Sequence, residues 1–169
     1  MNSLSKTHSK DDCEPSRKFH KECDVLLKCG NLGSATIPSY STTPVTVTSL
    51  TVNTSRFQNP CTKLEFTSNI AVTAGATAGF TLSFQIFKIC TNQLVAVPVG
   101  PSFNFNQPTG AAGTDAFTFF VCDCDSCFND CCTYTVVVTP TGGAGSGSGI
   151  VTNATLAAIV VDNTSQCGC

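Results

Sequence analysis

The chain has 169 residues, 41% of them hydrophobic and only 12% charged. The charged share is about half the usual quarter, so one domain can bury a sizeable core, and its low-charge surface is either covered by copies of itself or kept wet by Thr, Ser and Asn. A net charge of −2 excludes the basic field that draws nucleic acid or an acidic membrane, and no apolar run reaches the roughly 18 to 20 residues of a helical membrane span.

The first segment reads as a polar arm. It carries Lys6, Lys10, Arg17, Lys18, Lys21 and Lys28, six of the nine basic residues, together with Asp11, Asp12, Glu14, Glu22 and Asp24. Its opening, MNSLSKTHSKDDCEPSRKFH, has no apolar stretch of the kind a secretory signal needs. His8 and His20 stand among charged neighbours and read as solvated. Phe19, Cys23, Leu26 and Leu27 fit one short helix or, over VLLKC, a strand. After Gly30 only Arg56, Lys63 and Lys88 remain basic. The chain therefore divides near GNLGS, into an arm over 1–34 and a body over 35–169.

The body alternates with a period of two, which marks half-buried strands. Strands are predicted over 44–53, 63–72, 80–86, 93–99, 102–106, 115–122, 134–138 and 150–161. Leu64, Phe66, Ile70 and Val72 share one face of the second of these. Phe80, Leu82, Phe84 and Ile86 share one face of the third, after which the phase passes to Phe87 and Ile89 and implies a bulge. Gly and Pro punctuate the gaps. The Gly/Ser run at 142–149 reads as a flexible hairpin loop, since no Lys-Ser/Thr and no helix follow to make it a phosphate cradle. About eight short strands joined by turn-rich loops give an all-β fold, a jelly roll or β-sandwich with an extended N-terminal arm.

Twelve cysteines pose the main question, because structural disulfides belong to oxidising compartments and cytosolic clusters more often bind metal or do redox work. Cys13, Cys23 and Cys29 lie on the arm. Cys61 and Cys90 stand at a strand start and a strand end, and Cys167 and Cys169 close the chain. Cys122, Cys124, Cys127, Cys131 and Cys132 crowd into CDCDSCFNDCC. One reading of that cluster is a zinc or copper site of soft thiolates, although only Cys124 and Cys127 form a CxxC. A redox CxxC would need a helix after it to lower the thiol pKa, and none is predicted. A third reading is a disulfide-stapled hairpin, with Cys122 and Cys132 facing each other and Asp123, Asp125 and Asp130 in a solvated tip. Thiols on a polar arm, which has little apolar surface to dock with, are well placed to reach another subunit; the alternative is that they bond back onto the body or stay free.

No catalytic set emerges. Both histidines lie on the arm, Glu65 is the only Glu of the body, and no Ser/His/Asp or Cys/His group falls on ordered elements. Neither an enzyme nor a resident cofactor is expected. The sequons at Asn53, Asn153 and Asn163 read as chance products of Thr-rich strands.

A Cys-bearing polar arm followed by a Thr/Val/Gly-rich β body without a signal peptide resembles the subunits of endospore appendages, the disulfide-linked fibres on spores of Gram-positive bacteria. It is similar, more narrowly, to Cys-rich spore-surface proteins of clostridia that share the acidic Cys tip. The resemblance implies synthesis in the mother-cell cytosol and exposure at the spore surface once that cell lyses, where thiols oxidise without export. It also implies an arm that inserts into preceding subunits and bonds to their cysteines. The family's adjacent Cys pair is absent from this arm, and the adjacent pair here, Cys131 and Cys132, is in the body. The expectation is a helical homopolymer built through heterologous contacts, with other spore-coat or exosporium proteins as further partners and no nucleic acid or membrane. Cys13, Cys23, Cys29, Cys61, Cys90, Cys167 and Cys169 are the candidates for bonds between subunits. Cys122, Cys124, Cys127, Cys131 and Cys132 are the candidates for bonds within the body. A metal-binding Cys cluster and a monomeric adhesive or carbohydrate-binding sandwich are the alternatives.

Overall fold

The computed structural model describes residues 25–73, 79–91, 93–108, 110, 112–124, 131–141 and 147–162. Within them the chain forms nine strands and no helix: β1 Val25–Cys29, β2 Gly33–Ile37, β3 Val45–Asn53, β4 Pro60–Val72, β5 Phe80–Cys90, β6 Val97–Gln107, β7 Gly113–Asp123, β8 Cys131–Pro140 and β9 Gly149–Asp162. One sheet has the order β2-β9-β4-β7, with β1 paired to the same side of β9 as β2; the other has the order β3-β8-β5-β6. Every pairing is antiparallel. Read side by side, the two orders match β2 with β3, β9 with β8, β4 with β5 and β7 with β6. Sequence neighbours thus occupy corresponding positions in the two sheets, and the chain crosses the sandwich repeatedly. This is the expected jelly roll.

The period-two pattern explains the core. Leu64, Phe66, Ile70 and Val72 of β4 face Phe80, Leu82, Phe84 and Ile86 of β5 and Val136 and Val138 of β8, all buried. Phenylalanines close the β6–β7 side: Phe103 and Phe119 stack with centroids 4.4 Å apart, and Phe66 lies 5.2 Å from Phe119. Such pairs contribute about 0.5–1.5 kcal/mol each beyond the area they bury. Hydroxyls wet the outer face of the second sheet, where Thr51 and Thr133 sit opposite each other with their Oγ1 atoms 2.9 Å apart.

Four expectations are corrected. In place of the strands expected over 93–99 and 102–106 there is one strand, β6, which starts at Val97. It is interrupted at Gly100, whose φ is 66°, and two residues of β5 (Phe84 to Ile86) span four of β6 (Phe103 to Val99). The irregularity predicted in β5 therefore belongs to its neighbour. β5 itself keeps its phase to the end, with Lys88 and Cys90 inward and Phe87 and Ile89 half-exposed. Neither β7 and β8 nor β8 and β9 form the expected hairpins, because β7 and β9 lie in one sheet and β8 in the other.

The last correction concerns the arm. Its residues 25–34 join the sheet: β1 runs from Val25↔Val161 to Cys29↔Ala157, and β2 follows with Gly33↔Ala154. Leu26 packs against the core, Gly30 N donates to Leu156 O at 2.8 Å between the two short strands, and Arg56 Nη2 donates to Val25 O at 2.9 Å. An apolar VLL on the open side of β9 satisfies backbone groups that would otherwise remain unpaired. Residues 1–24, with His8, His20, Cys13 and Cys23, lie outside the described residues, as do Cys127, Asp125, Asp130, Asn163, Cys167 and Cys169.

Candidate functional site at the cysteine-rich end

One end of the sandwich gathers most of the chemistry-bearing side chains. Lys88 of β5 and Tyr134 of β8 are direct partners across the second sheet, and both point inward. Asp123, the last residue of β7, points inward from the other sheet. Lys88 Nζ donates to Asp123 Oδ1 at 3.0 Å and to Oδ2 at 2.8 Å, and the Tyr134 hydroxyl donates to Oδ2 at 2.8 Å. Lys88 is 7% exposed, Asp123 6% and Tyr134 0%. Charges so deeply buried persist only when paired and hydrogen-bonded, which is why this Lys can occupy a core position on an otherwise apolar strand face.

Two disulfides frame the cluster. Cys90–Cys132 lies one rung beyond the Lys88–Tyr134 pair on the same inner face of β5 and β8, with Cα atoms 4.0 Å apart. Cys61–Cys124 joins β4 to the residue that follows β7, also with Cα atoms 4.0 Å apart. Asp123 is therefore flanked by a bonded cysteine and by the exposed Cys122. A cavity of about 270 Å3 opens beside the cluster, bordered by Lys88, Asp123, Cys122 and the Val97–Gly100 stretch of β6.

The outer face of the first sheet at this end has a different character. Pairing across the strands sets Val25, Val161 and Cys61 in one row, Leu27, Ile159, Lys63 and Cys122 in the next, and Cys29, Ala157, Glu65 and Phe120 in a third. Val25, Leu27 and Phe120 are more than half exposed, and Ile159 and Val161 more than a third. Lys63 bonds Glu65 at 3.2 Å and sits over the Phe120 ring at 5.1 Å. One rung further along, Thr67 lies between Thr155 and Thr118, so the apolar area is local to the cysteine end.

The cysteines distribute differently from expectation. Cys61 and Cys90, candidates for bonds between subunits, are bonded within the chain. Cys122 and Cys132 do not staple a hairpin: their strands belong to different sheets, Cys132 pairs with Cys90, and Cys122 remains a free exposed thiol. Cys124 and Cys132 are consumed in disulfides, which removes two of the five thiolates on which a metal reading rested. Cys29 is a free exposed thiol on β1, and Cys131 is exposed at the start of β8. Asp123, expected in a solvated tip, is buried. Sequence reasoning missed the Lys88–Asp123–Tyr134 cluster. Its one signal is a lone Lys at an inward position of an apolar strand, which mimics a change of phase.

A β-sandwich with two internal disulfides among its described residues is compatible with a structural or adhesive role. None of the curated proteins matches the sequence. Among solved structures the chain is similar to an infectious bursal disease virus structure (Gt strain), with 13% identity, TM-score 0.44, and coverage of 87% of this chain and 35% of that one. It thus spans about a third of that viral chain. It is also similar to a family 11 carbohydrate-binding module from Clostridium thermocellum, with 13% identity, TM-score 0.31, and coverage of 78% and 87%. The CBM22-1 xylan-binding domain of Paenibacillus barcinonensis Xyn10C gives 11% identity, TM-score 0.29, and coverage of 81% and 99%. The family described as Domain of unknown function (DUF4489) matches residues 23–161, from just before β1 to the penultimate residue of β9. The chain belongs to that family.

Proposed function

We propose that the protein is a non-enzymatic structural subunit that assembles with copies of itself and is locked by disulfides between them. The observation that carries this reading is the placement of Cys29 and Cys122. Both are exposed thiols on the outer face of one sheet, but β9 and β4 lie between their strands. Three strand spacings separate them by roughly 14 Å, whereas a disulfide needs Cα atoms within about 7 Å, so they cannot bond to each other. Val25, Leu27, Ile159 and Val161 lie between or beside them, an apolar area that a neighbouring copy would cover. The organisation shared with endospore appendage subunits extends the proposal to a fibre on the spore surface, with Cys13, Cys23, Cys167 and Cys169 as further bonding partners.

The test is oxidised full-length protein on a non-reducing gel and under negative stain. A ladder and filaments that collapse to monomer with reductant are expected, and Cys29→Ser with Cys122→Ser should shorten the ladder. Solitary particles and a single monomer band without reductant would overturn the reading.

A further inference from the structure

The buried cluster has the composition and geometry of a condensation site. An amine and a carboxyl group face each other from opposite sheets, both buried, with Nζ 3.0 and 2.8 Å from the two carboxyl oxygens. With both oxygens so near, Nζ lies roughly 3 Å from Cγ, within the about 3–3.5 Å of a near-attack arrangement. The Tyr134 hydroxyl donates to Oδ2 at 2.8 Å and is placed to stabilise charge that develops there. The cavity of about 270 Å3 bordered by Lys88 and Asp123 can take up a released water.

We propose that Lys88 and Asp123 condense into an intramolecular isopeptide bond, with Tyr134 as the hydrogen-bond donor to the reacting carboxyl. One proton passes from Nζ to Oδ1, giving an amine and a carboxylic acid. The Nζ lone pair attacks Cγ, and the tetrahedral centre places its negative charge on Oδ2 under the Tyr134 hydroxyl. The Cγ–Oδ1 bond breaks, and Oδ1 leaves as water with a second proton from nitrogen; the third ammonium proton remains on the amide. Nothing is oxidised or reduced, and no co-reactant enters. The driving force is the replacement of two buried charges, each costly to desolvate, by one neutral amide in a site that already holds the reactants together. The bond would cross from β5 to β7, joining the two sheets, which neither Cys61–Cys124 nor Cys90–Cys132 does. It is independent of whether the chain polymerises.

Intact-mass measurement of the reduced, denatured full-length protein tests the proposal, with Lys88→Arg as the unlinked control. The wild-type chain is expected to be lighter than its sequence by one water. Proteolysis should release a branched peptide in which Lys88 and Asp123 are joined, and Tyr134→Phe should slow its appearance at least tenfold. A wild-type chain of full sequence mass overturns the proposal. So does a lost water that maps elsewhere, with the Lys88 and Asp123 peptides recovered linear. Should Lys88→Arg fail to fold, the wild-type mass and peptide map decide alone.

Discussion

Lys88 and Asp123 meet across the interior from opposite sheets, Nζ 2.8 Å from Oδ2, although 35 residues separate them in the chain. Among the described residues this is the one ion pair that links the two sheets. Truncating one partner leaves the other buried without its counter-charge. Asp123→Ala is expected to cost about 3–5 kcal/mol, read from the midpoint of urea denaturation. Lys88→Met combined with Asp123→Leu should recover much of that loss, because an apolar pair of similar volume has no charge to desolvate.

The disulfides differ in access more than in strength. They close separations of 63 and 42 residues, and loop-closure entropy rises so slowly with length that each contributes about 4 kcal/mol. Cys90 and Cys132 are buried, at 4% and 0% exposure, whereas Cys124 is exposed. Mild reductant under native conditions is therefore expected to open Cys61–Cys124 well before Cys90–Cys132. Mass tagging of released thiols over time checks the order.

Gly100 is required where β6 meets β7. Its φ of 66° disfavours any side chain, and a Cβ there would stand 2.8 Å from Val121 Cγ1. Gly100→Ala should destabilise the fold by about 1–2 kcal/mol from backbone conformation alone, with the contact adding to it. Thermal unfolding of the variant measures the sum.

Thr62 Oγ1 is buried in β4 with no hydrogen-bond partner among the described residues. Removing an unsatisfied buried hydroxyl while keeping its shape favours the folded state. Thr62→Val is expected to stabilise by about 1 kcal/mol, seen as a shift of the denaturation midpoint to higher urea.

The sheets were largely legible in the sequence because their inner and outer residues alternate without ambiguity. Phe80, Leu82, Phe84 and Ile86 announce β5, and Leu64, Phe66, Ile70 and Val72 announce β4. Lys88 was misread because alternation records hydrophobicity and cannot see a partner contributed by another sheet. The arm boundary was misplaced for a related reason: the charge that thins near residue 30 describes the surface, while Leu26 and the open side of β9 decide where pairing begins. Short β2, GSATI, has almost no apolar signal and is held by register with β9. The two observed disulfides were beyond reach, since Cys61 meets Cys124, and Cys90 meets Cys132, only once the crossovers between sheets are known. Cys29 stands exposed on a strand of the body and not on a loose arm.

Among the described residues each sulfur bridge closes within a single leaf of the sandwich, β4 to the residue after β7 in one and β5 to β8 in the other. Under load the leaves themselves resist tearing, and the plane of yield runs between them through aromatic packing. Resistance to peeling then falls to whatever fastens leaf to leaf, and among the described residues the fastener on the inner faces is one aspartate held by one lysine and one tyrosine of the opposite leaf.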